Sequence, residues 1–161
     1  SLAEGAAYKH IAGQDIDKDN SRLTVFEGSY VYKRDGWWYL FASAGRYNDY
    51  SYAIVVGKSR NADGPFLTKD GKDMADGYGT AILTSSPYDR FYGSGHDGEI
   101  FTDKNGDTFI IYHVHIGNYP FERMLKSHNV RFTNLQRIYW DKDGWPYFKR
   151  DEISGGKIRI K

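Results

Sequence analysis

Few side chains in this sequence are equipped for chemistry, and spacing removes most of those. There is no cysteine, which excludes disulfides, thiol catalysis and thiolate metal sites. Asp15, Asp17 and Asp19 imitate the opening of an EF-hand calcium loop. Asn20 replaces the turn glycine, however, and Phe26 stands where a bidentate glutamate is needed, so that reading is rejected. Gly77 and Gly79 form no phosphate loop, because no Gly-Lys-Ser/Thr follows them. His113 and His115 are two apart on a strand pattern and share a face, as two metal ligands would. No third ligand stands out, and packing is the preferred reading. Three residues remain: Glu27 ahead of Gly28-Ser29, His96 inside Gly-Ser-Gly-His-Asp-Gly, and Arg131. Alone, each also reads blandly, as a solvated glutamate at a strand start, a hydrogen-bonded structural histidine and a surface arginine.

These residues must be positioned by strands. Ser29–Lys33, the turn Arg34-Asp35-Gly36 and Trp37–Ser43 form a β-hairpin pattern. The layout recurs as Asp97–Thr102, a turn at Asn105-Gly106 and Thr108–His113, and again as Leu135–Trp140, Asp143-Gly144 and Trp145–Phe148. Tyr52–Ser59 reads as a buried strand, followed by a loop over Arg60–Pro65 and a short edge segment at Phe66 and Leu67. No helix is predicted. Hairpins with aromatic strands and Asp-Gly turns suit sandwiches, barrels or propellers, and the offset of roughly 70 residues from Gly36 to Gly106 suits a four-stranded propeller blade. One blade then spans about 23–74 and the next about 91–148.

Two blades do not close a ring. They leave sheet faces and edges that a propeller hides by packing blades around an axis, at roughly 25 cal/mol for each Å² of apolar surface covered. The isolated chain is therefore expected not to stand as a stable monomer. A complete two-sheet sandwich is the alternative from pattern alone.

Composition limits the partners. With 22 Lys+Arg against 21 Asp+Glu the net charge is +1, so no global field draws the chain to nucleic acid or an anionic membrane. Aromatic residues make up 17%, with 14 Tyr, 9 Phe and 4 Trp, which suits both strand packing and sugar stacking. Ser1–Ala7 has neither the basic nor the apolar region of a signal peptide, and no run approaches the roughly 18 apolar residues of a membrane span.

The segment Phe26–Gly45 (FEGSYVYKRDGWWYLFASAG) resembles the stretch carrying the general-acid glutamate in glycoside hydrolase family 43. The likeness continues in family order through Asp49–Phe66, Asp70–Thr80, Gly93–His113 and Arg131–Pro146. GKSRNADGPF and DGKDM look more like the endo-acting arabinan α-1,5-L-arabinanase branch than the β-xylosidases or arabinofuranosidases. The resemblance implies an all-β, five-bladed β-propeller of which this chain supplies about two C-terminal blades. It also implies an inverting hydrolase of arabinan or other arabinose-containing plant polysaccharide, with two carboxyl groups roughly 6.5–9.5 Å apart across the scissile bond. Glu27 matches the general acid. His96 matches a funnel histidine facing a calcium ion otherwise held largely by waters, and Arg131 matches an arginine that reaches the substrate.

The same resemblance places the general-base and pKa-tuning aspartates N-terminal to Ser1, so this chain alone is expected to be inactive and to need the missing N-terminal half of the propeller as partner. It implies an extracellular or periplasmic location. A non-catalytic carbohydrate-binding propeller piece is the rival. Arg46-Tyr47-Asn48 stands where arabinanase-like sequences often carry a cysteine pair, and the stretch 116–129 is longer and more basic than the pattern leads one to expect.

Overall fold

The structure is a computed structural model that describes residues 5–13, 25–86, 91–116 and 131–149. Asp15, Asp17, Asp19 and almost all of the stretch 116–129 lie outside the described residues. Among the described residues the regular structure is antiparallel strands and one 3-10 turn at Met74–Asp76.

The first sheet runs β1 (Val25–Arg34), β2 (Trp37–Gly45), β3 (Ala53–Ser59) and β4 (Thr80–Leu83), each hydrogen-bonded to the next. Asp35 and Gly36 take φ of 48° and 74°, the two left-handed residues that a tight hairpin turn requires to match strand twist. The segment expected to be the edge strand, Phe66 and Leu67, makes only isolated bridges, Leu67 to Lys58 and to Asp73. Phe66 is drawn off the edge because its ring is fully buried beside Met74. The outer strand is β4 instead, and the sheet reaches Leu83 rather than ending near residue 74.

The second sheet has the order β5 (Phe91–Gly95), β7 (Thr108–Ile116), β8 (Phe132–Trp140), β9 (Pro146–Tyr147), with β6 (Ile100–Thr102) also on β7. β5 and β6 lie along the same edge of β7, pairing with its C-terminal and N-terminal halves. They are one inner strand interrupted at residues 96–99, so a four-stranded blade counts here as five strands. The strand expected over Asp97–Thr102 begins only at Ile100.

Both inner strands bulge at the same place. In β1, Glu27 pairs with Ser43 and Tyr30 with Phe41, so three steps oppose two. In β5, Tyr92 pairs with His115 and Gly95 with His113, the same mismatch. Phe26-Glu27-Gly28-Ser29 and Phe91-Tyr92-Gly93-Ser94 therefore superpose in register. Gly28 and Gly93 hold the left-handed bulge position, at φ 61° and 58°, which disfavours a side chain.

Strand alternation sorts β2 between two cores. Tyr39 and Phe41 face the second sheet and pack with Ile54, Val56, Leu83, Ile110, Tyr112, Val114, Ile138 and Trp145. Leu40 and Ala42 face the other way, beneath Phe66, Met74 and the N-terminal Ile11 and Ala12. The Tyr39 hydroxyl donates to Gly144 O at 2.7 Å and its ring meets Trp140 edge-on at 5.0 Å, which clips the Asp143-Gly144 turn to the first sheet. Each such aromatic pair adds roughly 0.5–1.5 kcal/mol beyond its burial.

Candidate active site

The bulges bring Glu27 and His96 together. Gly28 packs so closely on the next blade that a Cβ there would lie 3.0 Å from His96 Cα and 3.1 Å from Asp97 N. His96 itself takes a positive φ of 50°, a conformation that costs a non-glycine residue on the order of 1–3 kcal/mol. The result is a His96 Nδ1 to Glu27 Oε1 separation of 3.6 Å, long for a hydrogen bond but close enough for an ion pair when the imidazole is protonated. Both side chains reach solvent, 56% exposed for His96 and 36% for Glu27.

Tyr52 orients the carboxyl group. Its hydroxyl donates to Glu27 Oε1 at 2.7 Å, although the ring is fully buried. Burial first, then the bond to Glu27, pushes the phenol well above its ordinary range, so it stays a donor at every working pH. Room for that ring comes from Gly95: a Cβ at this position would sit 2.1 Å from Tyr52 Cε1.

Beneath these groups a second layer is held by Ser43 and Asp97. Ser43 Oγ donates to Asp97 Oδ1 at 2.6 Å and accepts from Asp97 N at 3.2 Å. Asp97 is 4% exposed, and its Oδ2 is buried with no partner among the described residues. Desolvation pushes its carboxyl up to about 7, against the pull of the Ser43 bond. His113 lies in a stack between Tyr52, at 5.7 Å, and His96, at 5.9 Å. Burial, reinforced by the charges of Arg131, His115 and His96, pushes His113 down to about 4, so it is a neutral ring at neutral pH.

Arg131 is placed differently. It precedes β8 with its guanidinium over the Tyr47 ring at 5.3 Å, and Tyr47 O in turn bonds His115 Nε2 at 3.1 Å. It stands beside a group of rings distinct from the Glu27 and His96 pair, through Tyr47 and His115. His113 and His115 do share a face, with ring centroids 6.1 Å apart. Among the described residues no group of three or more His, Cys, Asp or Glu side chains is placed to hold a metal. An ion at His96 would therefore take the rest of its shell from water or from residues outside the described set.

Sequence reasoning passed over Tyr52, Ser43 and Asp97. Ser43 and Tyr52 carry no mark among the other serines and tyrosines.

An exposed carboxyl group thus stands at a bulge in the inner strand of a four-stranded antiparallel sheet, oriented by a buried phenol and faced by an imidazole. The model of the family Glycosyl hydrolases family 43 matches residues 2–146, and the chain belongs to that family. It is 28% identical over 141 residues to the extracellular exo-α-(1→5)-L-arabinofuranosidase ArbA of Cellvibrio japonicus, a match covering 86% of this chain and 37% of that protein. To the arabinan endo-1,5-α-L-arabinosidase C of Emericella nidulans it is 32% identical, covering 91% of this chain and 44% of the relative. Among solved structures, the Cellvibrio cellulosa α-L-arabinanase complexed with arabinohexaose superposes with a TM-score of 0.66 at 27% identity, over 80% of this chain and 38% of that one. The fold is thus part of the family's five-bladed β-propeller, contributing two blades. The chain spans less than half the length of these relatives.

Proposed function

We propose that the protein carrying this chain hydrolyses α-L-arabinosyl linkages in arabinan or a related plant polysaccharide, with Glu27 as general acid and inversion at the anomeric carbon. The observation that carries the reading is the Glu27 carboxyl group itself, solvent-reaching yet fixed by Tyr52 at 2.7 Å. In the proposed step Glu27 gives its proton to the departing glycosidic oxygen as the bond to the anomeric carbon breaks. A second carboxylate, which the family resemblance puts outside this sequence, takes a proton from the attacking water. On that reading the chain alone does not turn over, and the other blades complete the site.

The names of the relatives, two of them acting on 1,5-linked arabinose polymers, support the substrate class, and the word extracellular in one supports an exported location. Arg131 is proposed to bind substrate hydroxyls through its planar donors. His96 is proposed to present its imidazole to a calcium ion largely held by waters. Such an ion, when bound, supplies positive charge beside the site.

The test is Glu27→Gln in the full-length protein, assayed on linear arabinan and on an aryl arabinoside with an activated leaving group that the wild type also cleaves. Loss of about 10²–10⁴-fold on arabinan, with a far smaller loss on the aryl substrate, is the expected result. Equal losses would reduce Glu27 to a positioning role. Wild-type protein that binds arabinan without cleaving it would favour a carbohydrate-binding propeller.

A further inference from the structure

Two rings address the same oxygen of Glu27. The Tyr52 hydroxyl donates to Oε1 at 2.7 Å, and His96 Nδ1 stands 3.6 Å from that atom. The rings come from different sheets: Tyr52 immediately precedes β3 of the first, and His96 follows β5 of the second. His113 of β7 fills the space between them. Its plane is inclined by only 18° to Tyr52 and 22° to His96, at centroid separations within the range of offset-stacked aromatic pairs. Backbone pairing puts it there. His113 lies opposite Gly95, and the Tyr52 ring occupies the space that a Gly95 side chain would take. His113 Nε2 is buried with no partner among the described residues, so no hydrogen bond at that atom fixes the ring. What the position supplies to its neighbours is two flat faces.

We propose that His113 is a positioning residue for the acid: its ring is the spacer that sets the gap between the Tyr52 hydroxyl and the His96 imidazole, and so fixes the direction of the Glu27 carboxyl group. The inference rests on the glycosidase reading above and adds the part that keeps the proton aimed. With Oε1 engaged as acceptor, the transferable proton is carried on Oε2. As it moves, the Oε2–H bond breaks, a new O–H bond forms on the departing glycosidic oxygen, and that oxygen keeps the electron pair of the broken C–O bond. Such a transfer needs the acid held within about 0.5 Å and 10–20° of its productive geometry. A filler of the same volume without flat faces would leave both outer rings free to tilt, and the carboxyl group would follow them.

The experiment compares His113→Leu and His113→Phe in the full-length protein, on linear arabinan and on an activated aryl arabinoside. His113→Leu is expected to lower kcat on arabinan by about 10- to 100-fold with KM within about twofold of wild type, and to lower aryl turnover far less. His113→Phe restores both flat faces without either nitrogen and is expected to recover most of the arabinan turnover. In a Glu27→Gln background His113→Leu should add less than about a twofold further loss, since both act through one proton. A His113→Phe variant as slow as His113→Leu would overturn the spacer by showing that a nitrogen does the work, and would leave the glycosidase reading standing. So would equal losses on the two substrates, or a full further loss in the Glu27→Gln background. Wild-type protein that fails to cleave arabinan would overturn both.

Discussion

Ser43 and Asp97, 54 residues apart in sequence, are joined by two hydrogen bonds of 2.6 and 3.2 Å directly behind the candidate acid. Ser43 is the cross-strand partner of Glu27, and Asp97 follows His96. One serine therefore ties the strand bearing the carboxyl group to the loop bearing the imidazole. Ser43→Ala takes the Ser43 hydroxyl donor from the buried Asp97 carboxyl group, at a cost of about 1–3 kcal/mol. Urea denaturation of the full-length protein should show that loss, and kcat should fall more than KM rises.

Asp97 and His113 make opposite demands on pH. In an unfolded chain they titrate near 4 and 6.5; in the fold they are moved to about 7 and about 4. Raised Asp97 contributes most at low pH and loses that contribution as pH rises through about 7. Depressed His113 contributes above about 6.5 and loses it as pH falls toward about 4. Over the shared window each amounts to at most about 1.4 kcal/mol per pH unit, with opposite sign, so they largely cancel. Relative to Asp97→Asn, wild type should lose stability as pH rises from 4 to 7. Relative to His113→Gln it should gain stability from 4 to 6.5. Denaturation midpoints measured across this range, with a chelator present, check both slopes.

Gly95→Ala introduces a methyl group into the Tyr52 ring and must displace it. Turnover on arabinan is expected to fall by one to two orders of magnitude through loss of the Glu27 orientation, with Tyr52→Phe giving a smaller fall of about tenfold. The double variant should be no worse than Gly95→Ala alone, since both act through one hydrogen bond. Steady-state kinetics of the three proteins decides this.

Gly28→Ala combines a left-handed backbone with a contact against the His96 backbone, 3.0 Å from its Cα. A loss of about 1–3 kcal/mol in stability is expected. A crystal structure of the variant should show the 96–99 segment moved away from β1, with the Glu27 to His96 separation lengthened.

Much of this was legible in the letters. The hairpins around Asp35-Gly36, Asn105-Gly106 and Asp143-Gly144 could be read because local turn chemistry dictates them. Phe66–Leu67 was misread as an edge strand because its apolar residues answer to a core contact with Met74 rather than to a ladder. The partners of the site were hidden for a different reason. Tyr52, Ser43 and Asp97 act through contacts 25 to 54 residues away in sequence, which no local pattern encodes. Asp97, read as the opening of a strand, is buried within the 96–99 segment that interrupts the strand.

The extra residue in β1 has a consequence for how this blade tolerates change. Side chains on a regular strand alternate faces, so residues three apart point oppositely. The bulge inverts that rule locally: Glu27 and Tyr30 share one face, opposite Ser43 and Phe41. It acts as a phase shifter, with the core written in one phase and the acid in the other. Deleting Ser29 would therefore barely shorten the strand. It would restore perfect alternation with Glu27 still opposite Ser43, so the acid and every core residue would keep their faces, and only the left-handed turn at Gly28 that sets the strand against the His96 backbone would be lost.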